Sequence, residues 1–259
     1  MWDEEDGFYY DVRRLPDEGA RRLKVRSMVG LLPLCATSVV EAWQWERLPA
    51  LRLCGVSAHD GRRKSSRART RRGQATLEWR SVAGSRWLTR LRRILTRMLD
   101  EREFLSPYGI RSLSRYHAEH PYVINVGGSE YRVDYLPAES NTGMFGGNSN
   151  WRGPIWMPVN ILIIRALLQL YAYYGDNFRI ECPTGSGKLM NLFEVSREIA
   201  HRMQSIFCRD EKGRRPVYGG TEKFQSDPHW RHHILLNEYF DGDNVAGLGQ
   251  ATRPDGPEW

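Results

Sequence analysis

The apolar run over residues 155–174 constrains the fold of this 259-residue chain more than any other feature. An apolar stretch of this length is typical of a membrane-spanning helix or of a helix buried in a protein core. Asn160, Arg165 and Gln169 interrupt the run, which favours the buried helix. Pro158 suits the first turn of a helix and Gly175 suits its end, so we predict a helix between them.

Other segments also carry helical periodicity. Apolar residues spaced for one helix face occur at Leu88, Leu91, Ile94, Leu95, Met98 and Leu99. We predict further helices over residues 22–41, 192–206 and 230–240. Residues 122–135 alternate and turn at Gly127-Gly128, which predicts a β-hairpin. Strands do not alternate with helices, so we expect paired helices with the chemistry on their connecting loops, rather than a parallel sheet.

The positive charge of the chain is local. The formal net charge is +7, and the Arg and Lys residues of positions 62–72 account for all of it. Its spacing by Ser, Ala, Thr and Gly favours a solvated, unstructured segment, so we expect no nucleic-acid partner; nucleic-acid binding through this basic block is the alternative. Residues 43–87 as a whole lack a sustained period and are rich in Arg, Ser and Gly, so we predict that they are irregular or disordered.

The cysteines and the first residues bear on the compartment. Cys35, Cys54, Cys182 and Cys208 are scattered without a CxxC pair, which argues against a zinc site or a disulfide framework. The start, MWDEEDGFYYD, is acidic and does not read as a signal peptide. We therefore expect a cytoplasmic protein with no metal, no cofactor and no membrane contact.

The segment PTGSGK at residues 183–188 resembles part of a phosphate-binding loop. That motif needs a further Gly before it and a Ser or Thr after its Lys, but Cys182 and Leu189 occupy those positions. No strand is expected to lead into it. We therefore interpret it as a plain loop before the next helix.

The segment GGNSNWRGPIWMPVN, residues 146–160, is the best candidate for ligand binding. Indole rings can cover the C–H face of a sugar while Arg and Asn bind its hydroxyls. The alternative is that the tryptophans plug the mouth of a helical core. The candidate binding residues are Asn148, Asn150, Trp151, Arg152 and Trp156.

Glu238 is the carboxylate of most interest. It follows Ile234, Leu235 and Leu236 and precedes Tyr239-Phe240, so partial desolvation could raise its pKa for acid–base work. On composition alone, a glutamate on a helix surface, paired with Arg231 or His233, is the favoured interpretation.

Several long motifs in one order resemble glycoside hydrolase family 63. They are WDEEDGFYYDV, FLSPYGIRSLSRYH, GGNSNWRGPIW, ECPTGSG, FQSDPHWR and NEYFDGDN. The resemblance covers most of residues 1–42 and 88–249. It implies part of a mainly α (α/α)6 toroid of helical hairpins, here with a small β-hairpin insertion.

The resemblance also implies a reaction. Family members are inverting hydrolases of α-glucosidic or related bonds, which use a general acid and a general base about 6.5–9.5 Å apart. By motif, Glu238 is the expected base, and Trp151, Arg152, Trp156, His229, Trp230 and Tyr116 are expected to contact the sugar substrate. A carbohydrate-binding module without catalysis remains the alternative.

This chain departs from the family pattern in three places. The expected acid, an Asp upstream of DEEDGFYYD, is missing, and Asp3, Asp6 and Asp11 do not occupy its position. Residues 43–87 and the tail at 250–259 lack family character, as a shifted reading frame would produce. We therefore expect an incomplete catalytic domain in two parts, 1–42 and 88–249, with poor activity of its own.

Overall fold

The computed structural model describes residues 1–15, 19–36, 47, 83–138 and 153–252. The chain divides into two compact units, one of Met1–Thr37 with Arg90–Trp259 and one of Ser38–Thr89. The basic block at 62–72 lies outside the described residues, and the predicted domain boundaries stay predictions. In the described part of the chain, no helix has the length and apolar character to cross a membrane.

Four α-helices are described, and we number them in chain order. They are α1 (Ala83–Met98), α2 (Met157–Tyr174), α3 (Leu192–Ser205) and α4 (Glu222–Ser226). The predicted helices at 88–99, 158–175 and 192–206 are confirmed. Helix α1 begins at Ala83, however, inside the segment predicted to be irregular. The prediction missed this start because the first turn of the helix carries no periodic apolar residue.

The strands are short and pair antiparallel. They are β1 (Trp2–Asp3), β2 (Phe8–Tyr9), β3 (Asp11–Leu15), β4 (Gly19–Leu23), β5 (Leu105–Ser106), β6 (Gly109–Ile110), β7 (Tyr122–Val126), β8 (Ser129–Val133), β9 (Ile155–Trp156), β10 (Arg179–Glu181), β11 (Leu189–Asn191), β12 (Leu236–Phe240) and β13 (Gly247–Thr252). Five two-stranded sheets join neighbours in sequence, and one sheet has the order β13-β12-β9. The predicted hairpin over 122–135 is confirmed as β7 and β8.

The described fold therefore combines helices with several small antiparallel sheets. No parallel strand pair occurs among the described residues, as the sequence predicted. The partial (α/α)6 toroid of helical hairpins stays a prediction.

Two predicted helices are wrong. Residues 22–41 contain the end of β4 and two short 3₁₀ helices, Met28–Gly30 and Leu32–Ala36, up to the last described residue. Pro33 lacks the N–H that a continuous helix needs. Residues 230–240 contain a 3₁₀ turn, Trp230–His232, and then β12, because pairing with β9 and β13 satisfies its backbone.

Helix α2 is tied to the strands beside it through Asn160. The Asn160 side chain is 1 % exposed; its Oδ1 accepts from Ile110 N at 2.7 Å, and its Nδ2 donates to Ile110 O at 3.0 Å and Trp156 O at 2.9 Å. A buried amide is stable when its donors and acceptors are satisfied in this way. The polar residue that interrupts the apolar run thus fixes where the helix begins against β6 and β9.

An apolar cluster lies beneath β9 and β12. Its buried members are Ile155, Ile206, Val217, Tyr218, Phe240 and Val245. The cluster joins the end of α3 to the three-stranded sheet, because Ile206 follows that helix directly. It provides the rigid support for the candidate site.

Candidate functional site

Glu238 lies in the middle strand of the β13-β12-β9 sheet, and its side chain is exposed. The next two residues are buried, with Tyr239 paired opposite Trp156 and Phe240 opposite Ile155. Of the two interpretations, partial desolvation is therefore wrong, and the favoured surface position holds, although on a strand rather than a helix. The apolar neighbours suggested burial, but the core accepts Tyr239 and Phe240 and leaves the carboxylate in solvent.

Trp156 lies half-buried against the neighbouring strand. Its ring stacks on Tyr239 with centroids 5.2 Å apart and an interplanar angle of 22°. Successive side chains of a strand point to opposite faces, so Glu238 lies on the face of β12 opposite to this aromatic pair. Trp156 thus lies beside the strand that carries Glu238, but the two side chains lie on opposite faces of the sheet.

A β-bulge adjoins Glu238. The pairing of β12 with β13 shifts between Asn237 and Tyr239, so two residues of β13 oppose Glu238 alone. Gly249 adopts a left-handed conformation there, with φ of +69°, and a Cβ on it would lie 2.5 Å from the Tyr239 ring. Bulges bend a strand locally and re-aim its side chains, and they are frequent beside active sites.

His229 and Trp230 lie on a separate turn. Asp227 Oδ1 accepts from their backbone N–H groups at 2.8 and 3.2 Å, and the Trp230 ring meets Phe224 edge-on at 5.6 Å. His229 is exposed and Trp230 half-buried. The described contacts do not bring either ring to Glu238, so their predicted sugar contacts stay predictions.

The ring of Tyr116 is covered on both faces. His120 stacks on it at 4.3 Å with an interplanar angle of 7°, and the Arg26 guanidinium lies 3.9 Å from the ring centroid. Two groups this close to one centroid must occupy opposite faces. A sugar could reach only the edge or the hydroxyl of Tyr116, which remains a predicted contact.

The remaining predicted sugar contacts are Asn148, Asn150, Trp151 and Arg152. They lie outside the described residues. Their roles stay predictions.

The carboxylates of the first motif serve the local structure. Asp3 Oδ1 accepts from the N–H groups of Glu5 and Asp6, and these bonds hold the pKa of Asp3 below its ordinary value. Partial burial raises the pKa of Asp6, but hydrogen bonds from Lys24 and Tyr10 outweigh it and leave that pKa lowered. A general acid needs a raised pKa, which neither group has.

Residues 183–188 connect β10 to β11 as a hairpin loop. The loop interpretation is confirmed, but a strand does lead into it, contrary to expectation. Glu181 accepts from the backbone N–H groups of Gly185 and Gly187, so the loop's donors are used internally. Among the described residues no cluster of His, Cys, Asp and Glu could hold a metal ion.

A buried polar network escaped the sequence analysis. Arg111 donates through Nε to the Tyr135 hydroxyl at 3.2 Å and through Nη1 to Leu105 O at 2.8 Å. The Tyr135 hydroxyl donates to Asp243 Oδ1 at 2.9 Å, and burial raises the pKa of Tyr135. Arg111 and Asp243 both lie in quoted motifs, but they are far apart in sequence, so no local spacing paired them.

Comparison with known proteins finds one matching family model and two relatives. Residues 85–181 match the glycosyl hydrolase family 63 C-terminal domain. The resemblance to family 63 is confirmed. The chain is also 46 % identical over 264 residues to an uncharacterized protein of Saccharomyces cerevisiae, covering 96 % of this chain and 23 % of that protein.

A second relative is more distant. A probable mannosyl-oligosaccharide glucosidase of Schizosaccharomyces pombe is 37 % identical over 83 residues, which are 32 % of this chain and 7 % of that protein. The chain thus spans less than a quarter of the length of either relative. The family 63 match includes Tyr116 and Trp156 but not His229, Trp230 or Glu238.

Proposed function

We propose that this chain is part of an inverting glycoside hydrolase of α-glucosidic bonds, with Glu238 as its general base. The observation that carries the proposal is the exposed Glu238 carboxylate on the middle strand of a sheet, beside a bulge and directly before the buried Tyr239 and Phe240. The family 63 match and the glucosidase relative support the reaction class.

The geometry suits a general base. A general base accepts a proton from the attacking water, and water can reach the exposed Glu238 carboxylate. The side chains of Tyr239 and Phe240 are buried on opposite faces of the sheet and hold the strand in place. The backbone at Glu238 is therefore held in position. In the proposed reaction, Glu238 removes a proton from water as that water attacks the anomeric carbon from the side opposite the leaving oxygen.

The general acid of the proposed reaction is neither Asp3 nor Asp6. Both carboxylates have lowered pKa values and are committed to backbone or ion-pair contacts. Without acid assistance the leaving oxygen departs unprotonated, which costs about 10²–10⁴-fold in rate. A substrate whose leaving group needs no proton therefore tests the base separately from the acid.

α-Glucosyl fluoride is such a substrate, because fluoride departs as a stable anion. We expect the full chain to hydrolyse it with β-glucose as the first product, followed by proton NMR. Glu238→Gln should lower kcat/KM by about 10²–10⁴-fold. The matched control is Glu130→Gln, which changes another exposed glutamate in a strand and should leave the rate unchanged.

Two outcomes would contradict the proposal. Equal rates for the unaltered chain and Glu238→Gln would remove the base assignment. Sugar binding by calorimetry without any hydrolysis of the fluoride would favour a carbohydrate-binding role without catalysis.

A further inference from the structure

The ion pair of Arg111 and Asp243 is unequally buried. The Arg111 side chain is 3 % exposed and that of Asp243 is 42 % exposed, with Arg111 Nη2 and Asp243 Oδ1 3.7 Å apart. A buried cation is costly unless its donors are satisfied. Here Tyr135 and Leu105 satisfy two of them, so Arg111 is a fixed charge beneath a carboxylate that faces solvent.

The two buried residues Arg111 and Tyr135 both approach the same oxygen of the Asp243 carboxylate, Oδ1. Within the described ranges, no hydrogen bond or ion pair reaches Oδ2. The network therefore orients Asp243 from below and leaves its second oxygen available to a ligand.

The turn that carries Asp243 is rigid. Asp241 Oδ1 accepts from Asp243 N and Asn244 N, each at 2.8 Å, and Asp241 itself is buried. Gly242 N donates to Pro137 O at 2.7 Å. A free oxygen on a backbone fixed in this way is preorganised, so little entropy is lost when it binds a ligand.

The turn also lies where the first part of the candidate ligand segment, residues 146–152, ends. A Cβ on Gly242 would come within 2.5 Å of the carbonyl oxygen of Gly153, the residue that follows Trp151 and Arg152. The same turn directly follows β12, the strand of Glu238. Asp243 thus connects the end of that segment with the strand of the proposed base.

We propose that Asp243 is a specificity-determining residue whose Oδ2 accepts a hydrogen bond from a hydroxyl of the sugar. This inference rests on the proposed function. Arg111 neutralises the carboxylate from beneath, so the pair favours a neutral polyol over a cationic ligand. A carboxylate that accepts a hydrogen bond from one hydroxyl binds an analogue without that hydroxyl more weakly, because the charge-assisted bond is lost.

The test measures binding by calorimetry on the full chain carrying Glu238→Gln, with glucose and its 2-, 3-, 4- and 6-deoxy analogues as probes. We expect one deoxy analogue to bind about 10- to 100-fold more weakly than glucose, as for loss of a hydrogen bond to a charged group. Adding Asp243→Asn should weaken glucose binding and remove the discrimination against that one analogue. A loss of stability alone would weaken the binding of all the sugars alike and would leave the discrimination unchanged.

Controls separate this role from folding. Asp210→Asn changes another exposed aspartate, whose carboxylate accepts backbone N–H groups, and it should alter neither binding nor discrimination. If Asp243→Asn does not fold, Tyr135→Phe removes one contact to Oδ1 and should weaken the same discrimination. Equal discrimination in these variants and in their parent would overturn the inference. Absence of any sugar binding by the unaltered chain would instead overturn the proposed function.

Discussion

His117 is held as a neutral imidazole with its proton on Nδ1. Its Nε2 accepts from Arg26 N at 2.9 Å, and its Nδ1 lies 2.8 Å from His120 O, which can only accept. Because the ring is buried, the pKa of His117 is lowered from its ordinary value of 6.5, despite the favourable bond to His120. Protonation would place a hydrogen on Nε2 and break the bond from Arg26.

This arrangement predicts a loss of stability in mild acid. The unfolded chain binds a proton at His117 near pH 6.5, whereas the folded chain binds it only at lower pH, so stability falls as the pH drops below about 6.5. Asp3 and Asp6 lose their contributions only near or below pH 4, in a separate range.

Urea unfolding between pH 7.5 and 5 measures this effect. The unaltered chain and His201→Gln, which changes an exposed histidine, should lose stability alike over that range. His117→Gln should be less stable at neutral pH but depend less on pH. An unchanged pH dependence in His117→Gln would refute the assignment.

At single residues, the sequence indicated chemistry better than environment. It identified Glu238 by motif and favoured a helix surface for it over partial desolvation, and the structure exposes that carboxylate on a strand. It did not predict the contact of Arg111 with Asp243, because only the folded chain brings them together. Long-range ion pairs leave no periodic signal in the sequence.

Among the elements, the hairpin of β12 and β13 depends on one glycine. Gly249 has a φ of +69°, which other residues adopt only with strain, and it leaves no room for a Cβ beside the Tyr239 ring. We expect Gly249→Ala to destabilise the chain by about 1–3 kcal/mol. It should also weaken the stacking of Trp156 on Tyr239.

Thermal unfolding and near-ultraviolet circular dichroism measure these two effects. Gly220→Ala is the matched control, since no atom lies within 4 Å of its added Cβ. If both variants melt at the same temperature, the bulge does not require a glycine.

The sequence predicted helices well where regular apolar spacing continued over many residues. Helices α2 and α3 followed from sustained apolar spacing, and Pro158 and Gly175 indicated the ends of α2. The prediction from sequence was wrong at β12, because a short apolar run fits a strand as well as a helix. The pairing with β9 makes this segment a strand. The DGDN turn after Phe240 was the available signal for a hairpin.

At the scale of the whole molecule, helix α2 presents apolar side chains to solvent as well as to the core. Ile161, Leu162, Leu168 and Tyr173 are between 39 % and 58 % exposed. A helix that is apolar all round is usually buried, and contiguous exposed apolar surface promotes association. We therefore expect the isolated chain to self-associate at this face.

Replacing Ile161 and Leu168 together by Glu should lower the light scattering of the chain. Arg165→Glu changes the charge of the same face by the same amount and keeps its apolar residues, so it should have a smaller effect. Equal reductions would show that charge, rather than apolar area, controls the association.

The central claim is that Glu238 acts as the general base. Azide tests it directly, because this small nucleophile can attack the anomeric carbon of α-glucosyl fluoride where no base is left to activate water. We predict that Glu238→Ala loses hydrolysis and that azide restores turnover, with β-glucosyl azide as product and fluoride released. Hydrolysis by Glu238→Ala at the rate of the unaltered chain, or an inactive variant that azide does not restore, would contradict the account.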